Sequence, residues 1–191
     1  MNKKIGLFWL RDDFRITKNI GLIEATRNHD QVVVFYLYKK SIYNNQEAQK
    51  WWLSKSLNNF QKKLNDLNIN LEVIKTDSYK VFFDKLFKAK DISIYWNKVY
   101  EPDYLKFDEY LLKNLKNKNI PFKICKGNVL NEIHEVKKKD GTPFKVFTPF
   151  WRNAEKYYIE KIPPKEKTIK KCLRKKNYLQ DCIDPEEILP K

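Results

Sequence analysis

Charged and amide side chains follow several apolar runs of this sequence, and side chains of these types can hold a polar ligand. Arg11 and Asp13 come directly after one run, Lys39 after a second, and Asn97 and Glu101 after a third. Acids in such positions could in principle carry acid–base chemistry, but they are more often helix caps or partners of a neighbouring arginine. Arg11 could likewise face a ligand or pair with Glu101, and Asn97 could contact a ligand or fix the turn at its strand end.

The motifs of several common enzyme sites are missing. No G-x-G-x-x-G and no P-loop lysine motif occurs, so a standard NAD or ATP site is not expected. His29 and His134 belong to no recognisable triad or metal motif, and the three cysteines match no zinc spacing. The sequence therefore predicts no catalytic residue and no metal ligand.

Short apolar runs alternate with helical patterns along the first two thirds of the chain. Runs without strict alternation of polar residues are typical of strands buried on both faces of a parallel sheet. Between them, apolar residues recur at helical spacing, as in the stripe of Leu53, Leu57, Phe60, Leu64 and Leu67. The predicted strands are residues 5–10, 32–37, 71–74, 92–96 and 122–125.

This order predicts an α/β fold with a doubly wound, five-stranded parallel sheet and helices on both faces. In such sheets ligands bind beyond the carboxyl ends of the strands, which is where the charged residues named above must lie. Asn19 and Asp77 are expected to cap the first and third helices, and Pro102 to open the fourth. Thr148 and Pro149 are expected to begin a fifth.

The chain is strongly basic, with 39 Lys and Arg against 24 Asp and Glu and a net charge of +15. Such a surface attracts phosphate backbones, although an A+T-rich genome would produce the same lysine content. Residues 154–191, with a basic stretch at 165–176, are interpreted as a helix end followed by a linker or tail. Neither a run of about 20 apolar residues nor a signal peptide occurs, so a cytoplasmic protein is expected.

Five blocks of sequence resemble the DNA photolyase/cryptochrome family and occur in that family's order. Residues 9–19 (WLRDDFRITKN) resemble its opening W-F-R-x-D-L-R-x-x-D-N, and residues 95–102 (YWNKVYEP) resemble its Y-W-N-x-x-Y-E-P. Shorter matches are residues 51–57 (WWLSKSL), 127–130 (GNVL) and 145–152 (KVFTPFWR). One block alone would be weak evidence, whereas five in register make residues 1–153 similar to the family's amino-terminal domain.

The resemblance implies a Rossmann-like domain that binds an antenna pigment, commonly a reduced folate or a deazaflavin and in some members FMN. In the family, this pigment absorbs near-ultraviolet or blue light and passes the excitation to FAD in a larger helical domain. In photolyases the excited flavin then splits pyrimidine dimers in UV-damaged DNA. The helical domain is expected to be absent from these 191 residues. The fragment alone is therefore expected to be inactive, with that domain as its partner in cis or as a separate chain.

The resemblance also suggests which residues would contact a pigment. Asp13 and Glu101 match acids that lie beside the pigment in members that bind deazaflavin. The full predicted set is Arg11, Asp13, Lys39, Lys50, Asn97 and Glu101. The lysines would meet an anionic tail of the pigment, or else are simply solvated, and Trp52 could line the pocket. Val99, Asp103 and Tyr104 depart from the deazaflavin and folate patterns, so the identity of the pigment stays open.

Three other functions remain open alongside the antenna domain. The chain could be a fragment of a cryptochrome-type photoreceptor, because the residues that distinguish the two classes lie in the helical domain. It could be a basic nucleic-acid-binding α/β protein without a pigment, which a steep salt dependence of DNA binding would indicate. It could also be a nucleotide-binding α/β domain of another family, although the missing glycine motifs disfavour this.

Overall fold

A computed structural model describes residues 4–127, 129, 131–132, 134–159, 168–174 and 178–190. Two compact units divide the chain: Met1–Gly127 with Thr168–Lys191, and Asn128–Lys167. Positions 128 and 130 of the GNVL block lie outside the described residues, as do 165–167 and 175–176 of the basic stretch.

A six-stranded sheet forms the centre of the first unit. Its strands are β1 (Ile5–Leu10), β2 (Val32–Tyr38), β3 (Asn70–Lys75), β4 (Ile92–Asn97), β5 (Phe122–Cys125) and β6 (Cys182–Ile183). They lie in the order β5-β4-β1-β2-β3-β6, and all neighbours pair in parallel except β6, which is antiparallel to β3. The five predicted parallel strands are confirmed. The predicted total of five is wrong by one strand, because two residues are too few to give a readable pattern.

Helices cover both faces of this sheet, as predicted. They are α1 (Ile20–Asn28), α2 (Glu47–Asn65), α3 (Tyr79–Leu86) and α4 (Pro102–Asn117), with two short 3-10 helices at Lys40–Tyr43 and Pro185–Ile188. The helices α1 and α2 pack on one face and α3 and α4 on the other, so the sheet separates two apolar cores. The second unit contains α5 (Phe147–Ile159).

Alternation along the strands explains why both cores exist. In β1, Phe8 and Leu10 enter the core under α1 and α2, while Leu7 and Trp9 enter the core under α3 and α4. A strand whose side chains are buried on both faces has no polar face to show, which is the reason for its continuous apolar sequence. The predicted stripe of α2 is confirmed for its first four residues, which are buried. Its fifth residue, Leu67, lies beyond the end of α2 and is only partly buried.

The ends of the helices agree only in part with the expected caps. The Asn19 side chain accepts a hydrogen bond from Leu22 N at 3.1 Å and caps α1, as predicted. Asp77 does not cap α3, because Ser78 occupies the cap position instead. The helix α5 begins at Phe147 and not at Pro149. A proline within the first turn is tolerated there, since its missing N–H would have no partner in the helix.

The carboxyl-terminal residues return to the sheet. The Glu72 carboxylate of β3 accepts hydrogen bonds from the backbone N–H groups of Tyr178 at 2.9 Å and Leu179 at 2.7 Å. Cys172 and Ile188 are buried in the core beside α2. The described part of the stretch expected as a linker or tail thus packs on the first unit. The few apolar residues of this stretch are scattered among lysines, so its high charge predicted an exposed tail and not a packed segment.

Candidate ligand site

A cavity of about 790 Å³ lies where β1 to β4 end at their carboxyl edge. This volume falls in the range of roughly 300–1,000 Å³ that is typical of sites for small organic ligands. The edge is the one that the sequence predicted for a ligand. The cavity is lined by Asp12, Lys39, Ile42, Tyr43, Ser78, Tyr79, Lys80, Glu101, Pro102, Asp103, Tyr104 and Phe107.

Aromatic rings form one wall of this cavity. The rings of Tyr79 and Tyr104 are stacked, with centroids 6.1 Å apart and an interplanar angle of 17°. Phe107 meets Tyr79 edge-on at 5.7 Å. Burial raises the pKa of both tyrosines, so their hydroxyls stay protonated and can donate hydrogen bonds. The wall therefore offers flat apolar surfaces that suit a planar ring.

Three acids line the cavity: Asp12 follows β1, Glu101 follows β4, and Asp103 lies in the first turn of α4. Burial raises the pKa of the Asp12 carboxyl, the nearby Glu101 raises it further, and Arg11 lowers it. Asp12 and Glu101 are thus close enough to repel each other when both are ionised. Lys39 and Lys80 supply positive charge in the same lining. The cavity can accept hydrogen bonds from ring N–H groups and can attract an anionic substituent.

Arg11 lies behind the aromatic wall. Its guanidinium forms a buried ion pair with Asp108 of α4, in which Nη1 donates to Oδ2 at 3.3 Å and Nη2 to Oδ1. The Arg11 Cζ atom lies 4.0 Å from the centre of the Trp9 ring and 4.8 Å from that of Tyr104. The partner of Arg11 is Asp108 and not Glu101, which the sequence had suggested as a possible partner. Asp108 lies on the side of α4 that faces the end of β1. Arg11 supports Tyr104 and does not line the cavity.

Asp13 and Asn97 are engaged with neighbouring protein groups. Asp13 forms a two-pronged ion pair with Arg15, with both distances 2.7 Å. Asn97 is buried, accepts from the Gly21 backbone N–H at 2.9 Å and donates to the Asn19 side chain at 2.9 Å. Asn97 thereby fixes the amino-terminal end of α1 to the end of β4. Neither side chain lines the cavity.

Lys50 lies at a different cavity, of about 640 Å³, together with Tyr38 and Lys75. Its ammonium pairs with Glu47 at 2.8 Å. Of the six predicted residues, the structure brings only Lys39 and Glu101 to the cavity with the aromatic wall. Contact between any of the six and a pigment stays a prediction.

Most of the aromatic wall is not among the residues predicted from the sequence. Tyr79 and Tyr104 each lie in the first turn of a helix that follows a strand, and this position places a side chain at the carboxyl edge of the sheet. The position of both tyrosines shortly after a predicted strand could therefore have indicated this placement from the sequence. Tyr104 and Phe107 also fit the apolar spacing of α4, so helical periodicity alone accounts for their positions in the sequence.

Other kinds of site are not found in the part of the chain that the structure describes. There, no group of three or more His, Cys, Asp or Glu side chains could hold a metal ion. No helix among the same residues is long and apolar enough to cross a membrane.

The doubly wound sheet with helices on both faces defines a Rossmann-like α/β domain. A family model described as DNA photolyase matches residues 6–167. The chain belongs to this family.

Relatives show the same fold in longer proteins. The deoxyribodipyrimidine photo-lyase of Agrobacterium fabrum is 27% identical over 178 residues, which are 92% of this chain and 37% of that protein. The crystal structure of a class III photolyase from Agrobacterium tumefaciens matches with a TM-score of 0.81 and 23% identity, over 100% of this chain and 39% of that one. An archaeal photolyase from Sulfolobus tokodaii, whose structure has two FAD molecules and implies a novel light-harvesting cofactor, matches with a TM-score of 0.72 and 20% identity, over 96% and 40%. The chain spans well under half the length of these proteins.

Proposed function

We propose that this chain is the light-harvesting domain of a photolyase-like DNA repair flavoprotein. A planar pigment, either a reduced folate, a deazaflavin or FMN, would lie in the cavity with the aromatic wall, and its excitation would pass to FAD in a helical domain. The observation that carries the proposal is the stack of Tyr79 and Tyr104 beside Glu101 at the carboxyl edge of the sheet.

The residues of the cavity fit such a pigment. When bound, it would supply absorption of near-ultraviolet or blue light. Tyr104 and Tyr79 would flank its ring, and their hydroxyls would donate hydrogen bonds. Glu101 and Asp12 would accept from ring N–H groups, while Lys39 would attract an anionic tail.

The proposed partner is the helical FAD domain, through which UV-damaged DNA would also be held. The chain covers 37–40% of the photolyases compared, so most of each relative has no counterpart in it. In the second unit, Val146 and Phe147 are 63% and 70% exposed, and the Phe147 ring stacks on Trp151 at 6.2 Å. A contiguous apolar surface of this kind suits a protein interface. We expect no repair activity from the chain without this partner.

Reconstitution with pigments tests the proposal. The full chain is incubated separately with methenyltetrahydrofolate, a deazaflavin and FMN, passed through a desalting column, and its absorption spectrum is recorded. We expect one pigment to stay bound. Tyr104→Ala should weaken its binding by about 5- to 150-fold, the range that loss of one aromatic stacking partner produces.

Tyr110→Ala is the matched control, because Tyr110 lies on the same helix, bonds Asp84 at 2.5 Å and does not line the cavity. This variant should bind like the wild type. If no pigment is retained by the wild-type chain, the antenna function is wrong while the family and the fold stand.

The net charge of +15 favours a second candidate, a nucleic-acid-binding protein without a pigment. This function requires DNA affinity that falls steeply as salt is raised, because each phosphate contact releases counterions. A filter-binding series in salt measures the slope. A shallow slope would exclude this candidate.

A further inference from the structure

We propose that the first unit carries a second binding site, for a small carboxylate that has an apolar tail. The site lies between α3 and the carboxyl-terminal segment, beside β3. It shares no lining residue with the cavity that has the aromatic wall. The inference is independent of the proposed antenna function, because it concerns other residues and another class of ligand.

A cavity of about 390 Å³ forms this site. Its volume falls within the range of roughly 300–1,000 Å³ that is typical of sites for small organic ligands. The lining residues come from the end of β3, from α3 with the turn after it, and from positions 178–181 of the carboxyl-terminal segment. Two separate parts of the chain thus enclose one space.

The carboxyl-terminal segment is fixed on both sides of this cavity. Before it, the buried Glu72 carboxylate accepts hydrogen bonds from the backbone N–H groups of Tyr178 at 2.9 Å and Leu179 at 2.7 Å. After it, β6 begins at Cys182 and pairs with β3. Between the two anchors the chain turns at Asp181, whose φ of 59° is a left-handed conformation that aspartate adopts at little cost. The hollow is therefore bounded by hydrogen-bonded backbone on either side.

The inner surface of the cavity is apolar. Ile74 and Leu86 are buried members of the core under α3 and α4, and Phe82 is partly buried against the same core. Val81 also lines the cavity and is 55% exposed. An apolar tail in this space would cover the exposed valine and would itself leave water, which favours binding.

The charged groups of the lining select the head of the ligand. Lys75 and Lys85 are exposed lysines of the lining, and Asp181 is its one acid among the described residues. Two positive charges against one negative charge leave the lining with a net charge of +1. A single carboxylate can form a charge-assisted hydrogen bond with a lysine ammonium, whereas a cationic head would meet two like charges.

Three probes test the class of ligand. Octanoate, butanoate and protonated octylamine are titrated separately into the full chain, and their dissociation constants are measured by calorimetry. We expect octanoate to bind saturably. Butanoate should bind at least about tenfold more weakly, because it lacks four methylene groups that the apolar surface would bury. Octylamine should also bind at least about tenfold more weakly, because its charge has the wrong sign.

Variants assign the binding to this cavity. Lys85→Glu should weaken octanoate binding by at least about tenfold, and Lys85 is chosen because Lys75 also lines the cavity that contains Lys50. Lys88→Glu is the matched control, since Lys88 is an exposed lysine three residues further on that does not line the cavity. Val81→Asp, at an exposed position, is a second variant that should weaken binding. Circular dichroism checks that each variant is folded.

Hydrogen exchange gives a second measurement that does not depend on the affinities. The Tyr178 and Leu179 amides should exchange more slowly when octanoate is present, because a ligand held between α3 and this segment stabilises their association.

The proposal would be overturned if octanoate did not bind saturably, or if octanoate bound no more tightly than butanoate or octylamine. Equal octanoate affinity in Lys85→Glu and Lys88→Glu would likewise overturn it, because the ligand would then bind elsewhere. None of these results bears on pigment retention, which is measured with other probes at other residues.

Discussion

Arg11 and Asp108 form a buried ion pair that joins the end of β1 to α4 across 97 positions of sequence. The Arg11 guanidinium also rests against the rings of Trp9 and Tyr104. Two charges removed from water are tolerated only as a pair, so the position of each depends on the other. The aromatic wall of the candidate site is therefore supported from behind by an ion pair that does not line the cavity.

Breaking this pair should destabilise the protein strongly. Asp108→Ala leaves a buried guanidinium without its partner, and we expect the free energy of unfolding to fall by about 3–5 kcal/mol. Urea denaturation measures the change. Glu47→Ala, which breaks the more exposed pair with Lys50, should cost less than about 1 kcal/mol. Similar losses of unfolding free energy in both variants would show that burial does not decide how much an ion pair contributes to stability.

Loss of the Asn97 side chain should loosen the start of α1. Asn97→Ala removes the acceptor of the Gly21 N–H, and an unpaired buried donor costs about 1–3 kcal/mol. Hydrogen exchange should show faster exchange of the Gly21 amide. Asn28→Ala, in the same helix, removes an exposed bond to Glu24 O but leaves the Gly21 acceptor in place, and it serves as the control. Unchanged protection of Gly21 in Asn97→Ala would refute the prediction.

Glu72 should hold the carboxyl-terminal segment on the sheet. Glu72→Ala leaves the Tyr178 and Leu179 N–H groups without their acceptor, so we expect a loss of about 1–3 kcal/mol and faster proteolysis between residues 168 and 190. Limited proteolysis followed by mass spectrometry locates the cuts. Glu109→Ala, an exposed acid of α4, is the control. Cleavage of this segment at the same rate in both variants would contradict the prediction.

Stability should fall as the solution is acidified through the titration of His29. Its Nδ1 lies 2.9 Å from Lys4 O and its Nε2 3.0 Å from the Tyr95 hydroxyl, and burial lowers the pKa of the imidazole. A lowered pKa in the folded state means that folding favours the neutral ring. The contribution is thus complete above the unfolded pKa of about 6.5 and is lost as the pH falls through the folded value.

Melting temperatures at pH 7.5 and pH 5 measure this dependence. His29→Gln should narrow the difference between the two temperatures, while His134→Gln, at an exposed position, should leave it unchanged. A difference equally large in His29→Gln and in the wild type would show that other groups cause the acid sensitivity.

Local sequence patterns determined the five parallel strands, the four helices that cover them and the edge at which a ligand would bind. These features depend on repeats of two or 3.6 residues and on caps such as Asn19, which a short stretch of chain specifies by its own backbone geometry. The resemblance of five blocks added the family, which the match over residues 6–167 confirms.

Only the tertiary structure decided which side chains meet at that edge. Arg11 and Asn97 were correctly placed near strand ends, yet Arg11 pairs with Asp108 and Asn97 with Gly21, partners 97 and 76 positions away. The rotation of each helix over the sheet selects these partners, and the packing of two separate cores sets that rotation. A local pattern cannot encode it, because every residue on the same face of a helix satisfies the pattern equally well.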